Sequence, residues 1–174
     1  MVTPDKRMIA AARALLALCH ARKLTLATAE SCTGGLLAAA LTEIPGSSDV
    51  IDRGFVTYSN QAKRQMLGVP ARTLEKYGAV SRETAVAMAK GAIAHSPADI
   101  VAAITGIAGP GGGSKQKPVG LVHIAAATRR GHRAHCACRF GDIGRGKVRE
   151  KSVLQALNML RKLAKTAKPR KPGK

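Results

Sequence analysis

The chain has 174 residues, 45% of them hydrophobic but only 2% aromatic, and a formal net charge of +19. This length and apolar content suit one domain with a real core and are short for two, while two Tyr, two Phe and no Trp argue against recognition of single strands by base stacking. Seven cations lie between Arg161 and Lys174, and seven taken from nineteen leaves the body at +12, which fits an anionic substrate or a polyanionic partner and serves solubility equally well.

Taken in order, Thr3-Pro4-Asp5 opens a helix whose buried face is spaced as Ile9, Ala12, Leu16 and Cys19. The apolar run Leu24 to Thr28 leads a strand that ends at Glu30, and the turn Ser31-Cys32-Thr33-Gly34-Gly35 then feeds a helix over Leu36 to Ile44 that stops at Pro45-Gly46. Residues 52–59 (DRGFVTYS) form a second strand with Tyr58 at its carboxyl end. Asn60 caps a short helix carrying Lys63 in its first turn, Arg72 to Tyr77 make another, and Ser81 caps a longer one through Ile93.

Asp99 to Thr105 reads as a strand buried on both faces. The loop from Gly106 to Gly113 lacks the ending of a phosphate-binding P-loop and leads to a strand rather than a helix, which excludes a dinucleotide fingerprint. So many glycines imply a loop shaped around a ligand, or else a loose surface segment. Gly120 to Thr128 and His132 to Phe140 pair as an antiparallel hairpin, and a final helix carries Val153, Leu157, Leu160 and Ala164 on its buried stripe. Helical crossovers followed by a hairpin predict a mixed sheet with helices on both faces. One domain over residues 1–164 is expected, with a basic, disordered tail over 165–174.

The four cysteines, at 19, 32, 136 and 138, form no Cys-x-x-Cys pair, and no signal-peptide pattern opens the chain, so a reduced, cytoplasmic protein is expected. No apolar run is long enough to span a membrane. The cluster His132, His135, Cys136, Cys138 has the residue types of a metal site, but on a strand these side chains alternate between faces, and no metal is expected there.

In such sheets ligands bind outside the carboxyl ends of the strands. Ser31, Tyr58 and Thr105 all fall there, with Lys63 one turn beyond and the glycine loop close by. Ser31 followed by the free N–H groups of a helix start suggests acyl transfer, with an N-cap as the alternative role. A serine hydroxyl needs a base, and Lys63 serves if burial lowers its pKa enough for a neutral fraction to exist. Tyr58 is a candidate proton relay, and Cys32 a rival nucleophile better suited to packing.

Several stretches together closely resemble the CinA carboxy-terminal domain family, the nicotinamide mononucleotide deamidases: residues 28–35 (TAESCTGG), 56–60 (VTYSN) with Lys63, 67–69 (LGV), 105–113 (TGIAGPGGG) and 117–120 (KPVG). The resemblance runs from about Leu24 to Arg149. It implies a three-layer α/β/α sandwich with a mixed five-stranded sheet, and hydrolysis of nicotinamide mononucleotide to nicotinate mononucleotide and ammonia in pyridine nucleotide salvage. By motif, Ser31 is then the nucleophile, Tyr58 and Lys63 its activating pair, and Thr33, Gly34 and Gly35 the oxyanion and ligand turn. Thr105, Gly106, Gly109, Gly111 and Gly112 line the nucleotide pocket. Arg145 contacts phosphate, which a guanidinium binds in a bidentate way; with Arg149 it matches a family pattern.

The resemblance calls for neither metal nor cofactor, and implies a homodimer or higher homo-oligomer. Many relatives also carry an amino-terminal molybdopterin-binding-like domain with pyrophosphatase activity; 174 residues leave no room for it, so that activity is expected to be absent. The competing functions are a non-catalytic nucleotide-binding or competence- and damage-associated module, and a nucleic-acid binder using the basic tail.

Overall fold

The computed structural model describes residues 3–169. Its elements, in chain order, are α1 (Lys6–Ala21), β1 (Leu26–Glu30), α2 (Leu36–Thr42), a single 3₁₀ turn (Ser47–Asp49), β2 (Ile51–Val56), α3 (Asn60–Leu67), α4 (Ala71–Tyr77), α5 (Arg82–Ala94), β3 (Ile100–Gly106), β4 (Leu121–Thr128), β5 (Arg133–Arg139) and α6 (Arg145–Ala164). The five strands form one sheet in the order β2-β1-β3-β4-β5. β1 runs parallel to β2 and to β3, β4 is antiparallel to β3, and β5 to β4. The sheet is therefore mixed, as the crossover and hairpin pattern predicts.

Alternation along the strands divides the core into two layers. Leu26, Ile100, Ala102, Ile104, Val122, Ile124 and Ala126 face α1, α2 and α6, while Ala27, Ala29, Val101, Ala103, Ala125 and Ala127 face the layer containing α5. Side chains point to opposite faces with a period of two, so a strand covered on both sides is apolar at nearly every position. β3 meets that condition, being buried from Ile100 to Thr105. The α5 side is lined mainly by alanine, which lets α5 lie close to the sheet.

Helix starts follow local chemistry. Asp5 accepts the Met8 amide at 2.8 Å to open α1, and Ser81 caps α5 through Thr84 N–H. Ser59, not Asn60, caps α3: its hydroxyl accepts from Ala62 N–H at 3.0 Å, and Asn60 is the first helical residue. Ser and Asn are equally good caps, so sequence alone did not separate neighbours. On α1 the buried stripe is Met8, Ala12, Leu15, Leu16 and Cys19, with Ile9 only half-buried. β2 ends at Val56, leaving Thr57 and Tyr58 beyond the strand.

Residues 165–169 continue from α6 and are held to the body, because Ala167 is buried and its carbonyl accepts from Arg22 Nη2 at 3.0 Å. The rest of the basic tail expected over 165–174, residues 170–174, lies outside the described residues. Among the described residues no helix is long and apolar enough to cross a membrane.

Candidate active site

The carboxyl ends of the parallel strands β1, β2 and β3 share one edge of the sheet, and the site lies there. Ser31 follows β1 directly, its N–H bonded to Ile104 O of β3 at 2.9 Å. The chain then turns through Gly34 and Gly35, both in the left-handed region at φ +59° and +89°, where a side chain would be strained. The expectation of free amides at the start of α2 needs correction. Glu30, fully buried, turns its carboxylate onto them and accepts from Leu37 N–H at 3.0 Å and Ala38 N–H at 2.9 Å. The helix start already holds an anion, supplied by the residue before the serine. In the turn itself, Gly34 N–H goes to Ser31 O and Leu36 N–H to Thr33 O.

Lys63 reaches Ser31 from α3. Its side chain is buried, at 1% exposure, and Nζ stands 3.0 Å from Ser31 Oγ, 2.8 Å from Thr57 O and 3.4 Å from Tyr58 O. Burial pushes the amine below its ordinary 10.5, because removal from water disfavours the charged form. The three contacts define what a neutral Lys63 does. Two carbonyls can only accept, so they take its two N–H bonds, and the lone pair is left for the Ser31 hydroxyl.

A cavity of about 250 Å³ opens beside this pair, lined by Ser31, Cys32, Tyr58, Lys63, Thr105, Arg145 and the loop glycines Gly106, Gly109, Gly111 and Gly112 among others. Arg145, in the first turn of α6, ties its wall together: Nη1 donates to Gly109 O at 3.0 Å and Nη2 to Tyr58 Oη at 3.1 Å. Larger hollows exist, such as one of about 430 Å³ between α1 and the end of α2, lined by Arg13, Leu16, His20 and Ile44. The smaller one is singled out by chemistry rather than size, because the buried contact between Ser31 and Lys63 lies on its wall.

Most of the predicted residues converge here, with differences in detail. The Tyr58 side chain is 62% exposed and its hydroxyl bonds to Arg145; only its main-chain carbonyl touches Lys63. The Thr105 hydroxyl is buried and donates to Ala79 O at 2.8 Å, holding the turn before α5 against β3. Thr33, Gly34 and Gly35 form the adjoining turn and do not line the cavity. Cys32 does line the cavity, but burial pushes its thiol to about 12, so at neutral pH it is a protonated and weak nucleophile.

Sequence reasoning assigned no contact to two supports, Glu30 and Arg149, although it named Arg149 beside Arg145. Glu30 reads there as the last residue of a strand, and only the fold shows it folding back onto α2. Arg149 grips the serine turn from α6, with Nε and Nη2 at 3.2 and 2.7 Å from Thr33 O; its spacing from Arg145, one turn of helix, was the available signal. The His and Cys of β5 separate as alternation requires. His135 stacks on His123 at 5.3 Å between centroids, while Cys136 and Cys138 face the α6 side. Among the described residues no three His, Cys, Asp or Glu side chains gather as a metal site.

The molecule is thus a three-layer α/β/α sandwich with a buried serine–lysine pair at the carboxyl edge of its parallel strands. The chain belongs to the CinA C-terminal domain family, whose model matches residues 9–164. It is 51% identical over 152 residues to a CinA-like protein of Parasynechococcus marenigrum, a match covering 87% of this chain and 36% of that one. The chain thus spans about a third of the length of the curated relatives it matches. Among solved structures it resembles the competence/damage inducible protein CihA from Agrobacterium tumefaciens, with a TM-score of 0.91, 54% identity, and 94% and 99% of the two chains covered. It also resembles competence damage-inducible protein A from Klebsiella pneumoniae, with a TM-score of 0.86, 36% identity, and 91% and 98% covered.

Proposed function

We propose that the protein is an amidohydrolase that converts nicotinamide mononucleotide and water to nicotinate mononucleotide and ammonia through an acyl-serine intermediate. The observation that carries this reading is the 3.0 Å contact between Lys63 Nζ and Ser31 Oγ, with Lys63 buried and its amine depressed. A lysine in that state takes the serine proton as Oγ attacks the carboxamide carbon. The Cys32 amide, next to Ser31 on the cavity wall, is assigned to the developing oxyanion. Lys63 then returns the proton to the leaving nitrogen and ammonia departs. Water attacks the acyl-serine as Lys63 takes its proton; the acyl–Oγ bond then breaks as Lys63 returns that proton to Ser31 Oγ, and the acid released gives its own proton to solvent to leave as nicotinate carboxylate.

The substrate's phosphate is assigned to Arg145, whose guanidinium stands at the mouth between Tyr58 and the glycine loop. A cytoplasmic enzyme without a cofactor fits this chemistry.

The test is ammonia and nicotinate mononucleotide release from nicotinamide mononucleotide in the presence of a chelator. Wild type is expected to turn over and Ser31→Ala to be inactive while unfolding at the same temperature. Bound but unconverted nucleotide in the wild type would replace the enzyme with a binding module.

A further inference from the structure

We propose that β5 and α6 form a binding site for a soft monovalent metal ion of the Cu(I) type, held by the three sulfur atoms of Cys136, Cys138 and Met159. The alternation that splits the histidines from the cysteines also puts Cys136 and Cys138, two residues apart, on one face of an edge strand. Their Sγ atoms are 3.8 Å apart. From α6, Met159 brings its Sδ to 3.3 Å from Cys136 Sγ, and Gln155, one turn earlier, points its amide at the same sulfur from 3.6 Å. Both cysteines are half-buried and Met159 is buried, so the group is open on the strand side and closed on the helix side.

Three sulfurs each about 2.3 Å from one ion lie about 4.0 Å from one another in a trigonal plane. The cysteine pair already has that spacing, and Met159 Sδ, at 3.3 Å from Cys136 Sγ, is close enough for its unbranched side chain to turn into the third position. A disulfide fits less well. Same-face neighbours on a strand are spaced about 6.6 Å apart, whereas a disulfide needs Cβ atoms about 3.8 Å apart, so closing the bond would require bending β5. Zinc also fits less well, since the group offers a thioether but no imidazole or carboxylate, a donor set that selects Cu(I). His123 and His135 lie on the opposite face of the sheet and cannot complete a tetrahedral site.

On binding, each cysteine thiol releases its proton to the buffer and gives a thiolate pair to the ion, and Met159 gives a thioether lone pair. The copper enters and stays as Cu(I), with no electron transferred. The site is independent of Ser31 and of the reaction proposed there.

The experiment titrates the reduced full chain, without oxygen, into the coloured Cu(I)–bicinchoninate complex. One equivalent of copper is expected to be withdrawn, and X-ray absorption should then show sulfur neighbours only. Cys138→Ser should abolish withdrawal and Met159→Leu, close in volume, should weaken it by at least the roughly tenfold that loss of an outer-shell partner costs a metal site. His135→Ala should leave it unchanged. No withdrawal by the wild type, undiminished withdrawal by Cys138→Ser or Met159→Leu, nitrogen or oxygen neighbours, or loss in His135→Ala would each overturn the assignment. Thermal unfolding of every variant separates loss of the site from loss of the fold.

Discussion

Desolvating an ammonium group costs several kcal/mol, yet Lys63 is buried and no ion pair recorded among the described residues includes it. Losing the charge relieves that cost, and it leaves the lone pair that the proposed base requires. Because its pKa is lowered on folding, the unfolded chain binds more protons than the native one between the native value and 10.5. Wild type should therefore gain stability relative to Lys63→Met as pH rises through that window, measured by denaturant titration at several pH values. In the same range kcat/KM should climb with an apparent pKa below 10.5, and Lys63→Arg, which cannot deprotonate, should lose turnover at every pH. At this scale the pair Ser31 and Lys63 was legible in the sequence, since a strand end and a helix start fix where each side chain emerges. The Tyr58 hydroxyl was not legible, because its partner Arg145 lies 87 residues away.

Among the elements, the contact between α3 and α5 is the least forgiving. A Cβ at Gly91 would lie 1.9 Å from the main-chain oxygen of Leu67, a backbone atom that cannot rotate aside. Alanine in place of glycine favours a helix interior by about 1 kcal/mol, but overpacking of this kind costs about 3 kcal/mol, so the clash wins. Gly91→Ala is expected to lower the melting temperature by about 4–8 °C, taking a net 2 kcal/mol at 2–4 °C each for a domain this size. Scanning calorimetry checks it. Strand positions were readable because burial on both faces leaves continuous apolar runs, as in β3, and α5 because Ser81 is a strong cap. The owner of the α3 cap and the end of β2 were not readable: neighbouring Ser and Asn compete on equal terms, and Thr57 and Tyr58 favour extended backbone whether or not a strand partner continues beside them.

Across the whole molecule, the site joins elements far apart in the described chain, with β1 leading into Ser31 and α6 supplying Arg145 and Arg149. Occupying it should therefore stabilise the fold as a unit. With Ser31→Ala to prevent turnover, nicotinamide mononucleotide at a hundred times its Kd should add about 2.7 kcal/mol, a rise of about 5–11 °C for a domain this size. Arg145→Ala should diminish the shift at the same concentration. Differential scanning fluorimetry reads both, and no shift in Ser31→Ala would count against the proposed ligand. The mixed sheet was legible from the order of crossovers and hairpin, whereas the docking of residues 165–169 through Ala167 was not, since a lone alanine among lysines carries no periodic signal. The clasp of Arg149 on Thr33 closes over 116 residues of chain, which at about 5–20 residues per second is on the order of ten seconds of synthesis. For that interval a nascent chain carries Ser31 and, later, Lys63 with the serine turn not yet gripped by Arg149.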